Sequence, residues 1–371
     1  MLFKLAENTP KFAVFEKLNA EFLYFLEQSV NTTAFGRALF SAEADPGAEV
    51  TIGDACWRNS ATRTKFEELF TELQKAAPDV KRQLYEAMRD NQDLGSFFEA
   101  PNRALLTFFP EDCEKALKKL GTHLYSSTKD LQPVITASGG SDINAYFETY
   151  REQSLNGNIC KACGMKELAA IRAGIPTSDQ WRADYDHQLC KSKYPIYAVH
   201  PENLIPLCDV CNQDAKKAKD LFKHSDGSDR LAFYPYTEEA KDFVDIQIGN
   251  LRDPEPAVTV VWTSGNSTIT EKLETWDDVY EIRSRVEGKF RSLEATIEDE
   301  INPENEAEFR HSVSQKARLV SAATLKRKEW AFWHQKLFAA LNGIDLDPFI
   351  DKLQFVQEQG SSGANYILSG I

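Results

Sequence analysis

Two Cys-x-x-Cys pairs constrain this chain more than any other feature. Cys160 and Cys163 form the first and Cys208 and Cys211 the second, with 44 residues between the pairs. Two such knuckles bring four thiolates into a tetrahedron, the geometry of structural Zn²⁺. The metal then fixes segments that a small core could not pin alone. A closed four-cysteine shell leaves no open coordination position, so this zinc is expected to be structural and not catalytic. Seven cysteines in all, four of them at this spacing, favour metal binding in a reducing compartment over disulfides. A redox role for the pairs lacks its thioredoxin-like context. Cys56, Cys113 and Cys190 are left over and are expected to be buried free thiols.

The chain is 371 residues long, which suggests two or three domains. A helical N-terminal domain is expected over 1–135, a central zinc-braced domain over 136–230, and a C-terminal region of short strands then long helices over 231–371. Phe12, Phe15, Leu18, Phe22, Phe25 and Leu26 recur at steps of three and four, as the core-facing side of one helix does, and Pro10 suits its start. Further helices are predicted around 62–77, 79–90 and 111–120. Turn-rich pieces at 44–49 and 100–104 separate them. The polar, Gly-rich stretch 136–142 marks a boundary, and 143–155 reads as a helix leading into the cysteines. Residues 243–248 and 257–263 are β-branched and partly alternating, as strands are. Val279, Ile282, Val286, Phe290, Leu293 and Ile297 return to helical rhythm, as do Trp330, Trp333, Leu337 and Leu341. The acidic run 298–308 reads as a solvated helix end and loop, and 361–363 as a short flexible stretch.

With 42% hydrophobic, 11% aromatic and 27% charged residues, the composition is that of a soluble globular protein. There is no apolar run long enough to span a bilayer and no signal-peptide pattern at the start, so a cytoplasmic protein with no membrane partner is expected. The net charge is −14, which excludes wrapping nucleic acid over the whole surface. Charge is uneven, however. Residues 160–224 hold ten Lys and Arg against eight Asp and Glu, whereas the rest holds 33 against 49. The cysteine segment is therefore the least repulsive place for a phosphodiester.

Between the knuckles lies YDHQLCKSKYPIYAVHPENLIPLCDVCNQDAKKAKD, residues 185–220. It carries Asp186-His187, then Asn203-Leu204 with Asn203 sixteen residues after His187, then Asn212 nine residues beyond Asn203 and directly after the second CxxC. In these features the segment resembles the zinc-stapled HNH endonucleases of the ββα-metal group, in the variant with asparagine at the last position. The DHxLxKSKYP phrase is similar to a bacterial subgroup in which proline commonly occupies the place of Cys190. The resemblance covers about 60–65 residues. It departs from the pattern at Cys190 and at Ala215, where family members commonly carry a lysine; here Lys216 follows one position later. The resemblance implies an α+β fold, mostly helical, with a central zinc-stapled ββα nuclease domain. It also implies a metal-dependent endonuclease acting on nucleic acid, DNA foremost, in bacterial anti-phage defence; the large helical flanks and acidic surface suggest gating by a protein partner, by oligomerisation or by a bound signal.

The residues make chemical sense beside the resemblance. Phosphodiester hydrolysis needs an activated water, charge neutralisation at the phosphoryl oxygens and help for the leaving oxygen. His187 can take a proton near neutral pH, where an ordinary imidazole is roughly half-protonated. Asp186 and the Asn212 carbonyl offer hard oxygen ligands to Mg²⁺ or Mn²⁺. By resemblance, Asn203 hydrogen-bonds backbone across the hairpin and holds the loop bearing His187. His200 is expected to be a bystander. Lys191, Lys193, Lys216, Lys217 and Lys219 are candidates to grip phosphates. Two alternatives stand beside a DNase: an RNA- or tRNA-cleaving HNH nuclease, and a non-catalytic zinc module scaffolding a nucleoprotein complex. The last needs only the cysteines and lysines, and gives no reason for Asp186, His187 and Asn212 to occur together.

Overall fold

The computed structural model describes residues 1–42, 50–102, 104–176, 179–301 and 305–351. The expected turn at 44–49, position 103 of the second turn, the centre of the acidic run at 302–304 and the stretch 361–363 lie outside the described residues. Among the described residues the chain is mostly helical with two small sheets, so the broad α+β expectation holds.

The N-terminal third folds as helices α1 (Ala13–Asn31), α2 (Ile52–Arg58), α3 (Ser60–Lys75), α4 (Pro78–Asp90), α5 (Leu94–Glu99) and α6 (Glu111–Ser126). The predicted Phe-rich face is buried in full: Phe12, Phe15, Leu18, Phe22, Phe25 and Leu26 are each at most 4% exposed. Helix α1 begins at Ala13, so Pro10 precedes it and does not start it. The starts of α2, α3 and α5 are fixed by Thr51, Asn59 and Asp93, whose side chains accept from otherwise unpaired first-turn N–H groups.

Helix α6 packs onto the segment between the cysteine pairs. The predicted stretch 111–120 runs on through Gly121 to Ser126, and Gly121 faces residues 195–198. A methyl built on Gly121 would lie 2.7 Å from Ala198 Cβ and 3.3 Å from the Pro195 carbonyl oxygen. Gly→Ala inside a helix normally stabilises by about 1 kcal/mol; here overpacking of roughly 1–3 kcal/mol opposes it. Gly121→Ala is therefore expected to lower the urea midpoint, and an unchanged or raised midpoint would show that the facing loop yields freely.

Two short helices, α7 (Gln132–Ala137) and α8 (Ile143–Tyr150), lead into the cysteine region; α8 is shorter than the predicted 143–155. Strands β1 (Tyr185–His187) and β2 (Leu204–Pro206) pair antiparallel with Asp186 opposite Ile205 and His187 opposite Leu204. A π-helical segment, Val210–Lys216, follows. Strands β3 (Val244–Ile248) and β4 (Val258–Trp262) form the second antiparallel pair, at the predicted positions.

The C-terminal part is helical: α9 (Ser267–Tyr280), α10 (Ile282–Lys289), α11 (Leu293–Glu300), α12 (Glu306–Lys316), α13 (Ala322–Leu325) and α14 (Ala331–Asn342). Val279, Ile282, Val286, Phe290, Leu293 and Ile297 are all buried, yet they span three helices. The first break is at Glu281, which is left-handed at φ 56°; the Asp277 carboxylate accepts from Arg283 N–H at 2.7 Å, capping α10 from the side. The buried apolar residues of the helical, cysteine and C-terminal segments form one contiguous cluster. No helix among the described residues is long and apolar enough to cross a membrane.

Candidate functional site

The four cysteines converge. Cys160, Cys163, Cys208 and Cys211 are fully buried, and their sulfurs all lie within 4.8 Å of one another, Cys163 and Cys208 at 4.0 Å. A tetrahedral Zn²⁺ with sulfurs at about 2.3 Å needs sulfur spacings of roughly 3.8 Å, so the cluster could hold one such ion. The backbone prepares it: Met165 N–H and Cys208 N–H point at Cys163 Sγ and Cys160 Sγ, at 3.4 and 3.5 Å. Gly164 closes the first knuckle at φ 66°, with its Cα so close to Leu2 that a Cβ would meet Leu2 Cδ2 at 2.6 Å. Only glycine meets both demands.

The rest of the fold is built onto this cluster. Trp276 and Trp333 donate their indole N–H groups to the Ala162 and Cys163 carbonyls, both at 2.8 Å. Arg285 Nη1 lies 3.3 Å from Cys211 Sγ and would offset the negative charge of four metal-bound thiolates. Sequence reasoning missed this arginine, which lies 74 residues from its sulfur. Cys56, Cys113 and Cys190 are buried free thiols, as expected.

The loop from β1 to β2 is held by Asn203, which is fully buried. Its Oδ1 accepts from Leu189 N–H at 2.7 Å, and its Nδ2 donates to the Leu189 and Tyr197 carbonyls at 3.0 and 2.9 Å. Gln188 N–H reaches the Asn203 carbonyl at 2.9 Å. Every polar group of this amide is spent on backbone, and the loop length is thereby fixed. His200 docks the same loop outward: its Nε2 donates to the Gln92 carbonyl at 3.0 Å.

His187 ends β1 and is 8% exposed. Its Nε2 lies 2.8 Å from the Ala198 carbonyl oxygen. A carbonyl only accepts, so the proton sits on Nε2 and the Nδ1 lone pair is left available. Tyr125, from α6, packs its ring edge against the imidazole at 4.4 Å between centroids and donates its hydroxyl to the Tyr185 carbonyl at 2.8 Å. Burial, reinforced by the Lys191 and Lys216 charges, pushes the imidazole down to about 3. The half-protonated imidazole expected from sequence is thus replaced by a neutral one, because the ring is desolvated in a basic neighbourhood.

Asp186 is 5% exposed. Its Oδ1 accepts from Lys216 Nζ at 2.9 Å and its Oδ2 from Gln188 Nε2 at 3.0 Å; the Gln188 Oε1 lies 3.5 Å from the Tyr280 hydroxyl. Burial raises the carboxyl above its usual range, and the Lys216 charge opposes that. Lys216 is 1% exposed and donates a second hydrogen bond to the His187 carbonyl at 2.7 Å. Of the lysines expected to grip phosphate, Lys216 thus has its ammonium engaged by Asp186 and the His187 carbonyl, because the π-helical turn directs it under β1. Removing it would strand a buried carboxylate, at a cost of about 3–5 kcal/mol. Lys216→Met is expected to unfold at lower urea by that amount, and the double variant Asp186→Asn/Lys216→Met to recover most of it. Equal losses in both variants would mean that the pair is not coupled.

Asp186, His187 and Asn212 line one cleft of about 430 Å³, together with Tyr125, Lys191, Lys216 and Lys217. Asn212 is half-buried in the first turn of the π-helical segment, and among the described residues its side-chain amide has no hydrogen-bond partner. Lys191 lies 4.7 Å above the Tyr125 ring, and burial lowers its ammonium. Lys217 is exposed at the cleft, with φ at 49°. Lys193 and Lys219 are engaged elsewhere, with Asp220 at 3.4 Å and with the Asp278 carbonyl at 2.6 Å. Tyr125, Gln188 and Tyr280 were not singled out from sequence. Gln188, adjoining Asp186-His187, was the one with a local signal. Comparison of the chain with family models, curated proteins and solved structures gives no match.

Proposed function

We propose that this protein is a metal-dependent nuclease of the HNH type, with structural zinc in the four-cysteine cluster and nucleic acid, foremost DNA, as substrate. The reading rests on one observation: a neutral, oriented imidazole, a buried carboxylate and an unengaged amide carbonyl line a single cleft with three lysines, of which Lys216 is paired with the carboxylate. Three of these groups come from the short hairpin and the helical segment after it, the order that the sequence resemblance anticipates.

The donor set fits a hard divalent cation. Each Asp186 oxygen accepts one hydrogen bond and keeps a further lone pair; Asn212 offers its carbonyl oxygen. Asp186 and Asn212 would hold Mg²⁺ or Mn²⁺, with remaining positions for water and phosphate. Such an ion, when bound, supplies charge stabilisation to the phosphoryl oxygens and the leaving oxygen. His187 Nδ1 accepts a proton from water, while Ala198 stabilises the resulting imidazolium through Nε2–H. Asn203 fixes the loop that carries both. Lys191 and Lys217 attract the phosphodiester without reading sequence.

The test is cleavage of supercoiled plasmid, linear duplex, single-stranded DNA and RNA by zinc-loaded protein, with and without added Mg²⁺ or Mn²⁺. Cleavage that requires the added ion is expected, and the panel names the substrate class. Binding of these substrates with no cleavage under either ion would favour the zinc-scaffold reading instead.

A further inference from the structure

A second cleft, of about 230 Å³, is lined by Phe3, Lys4, Lys161, Glu239, Lys241 and Lys326 among others. It forms where the N-terminal segment, the first zinc knuckle and the end of α13 meet. Main-chain bonds fix these pieces together: Phe3 N–H to the Lys161 carbonyl at 3.1 Å, Lys241 N–H to the Leu2 carbonyl at 3.1 Å, and Asn158 N–H to the Lys326 carbonyl at 2.8 Å. The spacing of the cations is therefore built into the backbone.

Four lysines share this cleft with one carboxylate, and that carboxylate is taken. Glu239 accepts from Lys241 Nζ at 2.7 Å and from Lys4 N–H at 3.2 Å. Lys326 Nζ donates to the Gln153 carbonyl at 3.1 Å. Lys161 stands apart: it is 6% exposed, and among the described residues no oxygen accepts from its ammonium. The Phe3 ring centroid lies 5.8 Å from its nitrogen, at the outer reach of a cation–π attraction. The side chain is largely withdrawn from water, and an anion seated in the cleft would give its ammonium an acceptor.

We propose that this cleft binds a phosphate-bearing anion, with Lys161 as its central donor and Lys4, Lys241 and Lys326 around it. Lysines are point-charge donors suited to phosphate oxygens, and the volume suits a phosphate or diphosphate group. The group can belong to a free nucleotide-like anion or to the backbone of a strand. The proposal uses no residue of the Asp186–His187 cleft and stands whether or not that cleft cuts nucleic acid.

The experiment is calorimetric titration of the zinc-loaded full chain with inorganic pyrophosphate and, separately, with a short single-stranded oligonucleotide. Saturable binding is expected, weakened about tenfold or more by Lys161→Met and measurably by Lys326→Gln, but not by Lys75→Gln on the exposed face of α3. Zinc content checks that the knuckle is intact; if Lys161→Met loads less zinc, Lys326→Gln and Lys241→Gln, outside the knuckle, carry the comparison. Pyrophosphate binding lost in these variants identifies a free anion. Oligonucleotide binding lost in them, with no pyrophosphate binding, identifies strand phosphate. No saturable binding of either probe, or equal affinity in wild type and the cleft variants, overturns the proposal.

Discussion

Replacing His187 with alanine should lower phosphodiester cleavage by about 10²–10⁴-fold, the range for loss of a positioned general base, while zinc content stays that of the wild type. The imidazole is buried against Tyr125, so some stability is lost with it. His187→Gln keeps an amide able to donate to Ala198 and separates packing from chemistry: it should fold more like the wild type and still fail to cut. The pH dependence carries a sign. The imidazole is held down to about 3 in the folded protein against about 6.5 when unfolded. Its neutral form therefore favours folding fully above 6.5, and that contribution is lost as pH falls toward 3. Between pH 5 and 8 His187 stays neutral, so cleavage should show no acid limb near 6.5 belonging to this residue. Equal cleavage by wild type and both variants would remove His187 from the mechanism.

Chelating the metal, or changing Cys208 to serine, should have the largest effect on folding. Structural zinc in comparable four-ligand sites supplies about 10–16 kcal/mol of apparent binding energy, as much as the whole stability of many domains. The cluster is also a hub: Trp276 and Trp333 are stacked 6.5 Å apart and donate to the carbonyls of the first knuckle, and Arg285 lies against Cys211. Loss of metal should therefore change tryptophan fluorescence and lower the thermal midpoint together with zinc per chain. Cleavage should fall in parallel, because the second knuckle leads directly into Asn212 and Lys216. Chelation that strips zinc and leaves both fluorescence and midpoint unchanged would show that the core holds the cluster without the ion.

Local features of the site were legible because they are written close together. Cysteine spacing announced the cluster, and Asp186-His187, Asn203 and Asn212 fall within 27 residues. Apolar rhythm gave most helices, since the buried face recurs whether or not the helix is continuous; for the same reason it hid the breaks at Glu281 and after Phe290. Tyr125, Tyr280 and Arg285 left no trace in the pattern. Each belongs to an ordinary helix, and its role arises only when that helix packs on the cysteine segment.

Sequence alone determined the four-cysteine framework, the helical flanks and the choice of Asp186, His187 and Asn212 as a set, because side-chain chemistry and spacing are local properties. Tertiary structure alone decided their states. It buried Lys216 beneath Asp186, turned His187 toward Ala198 and desolvated it, and let α6 approach through Gly121. Charge, tautomer and proton affinity depend on what surrounds a group, and those surroundings come from residues dozens of positions away.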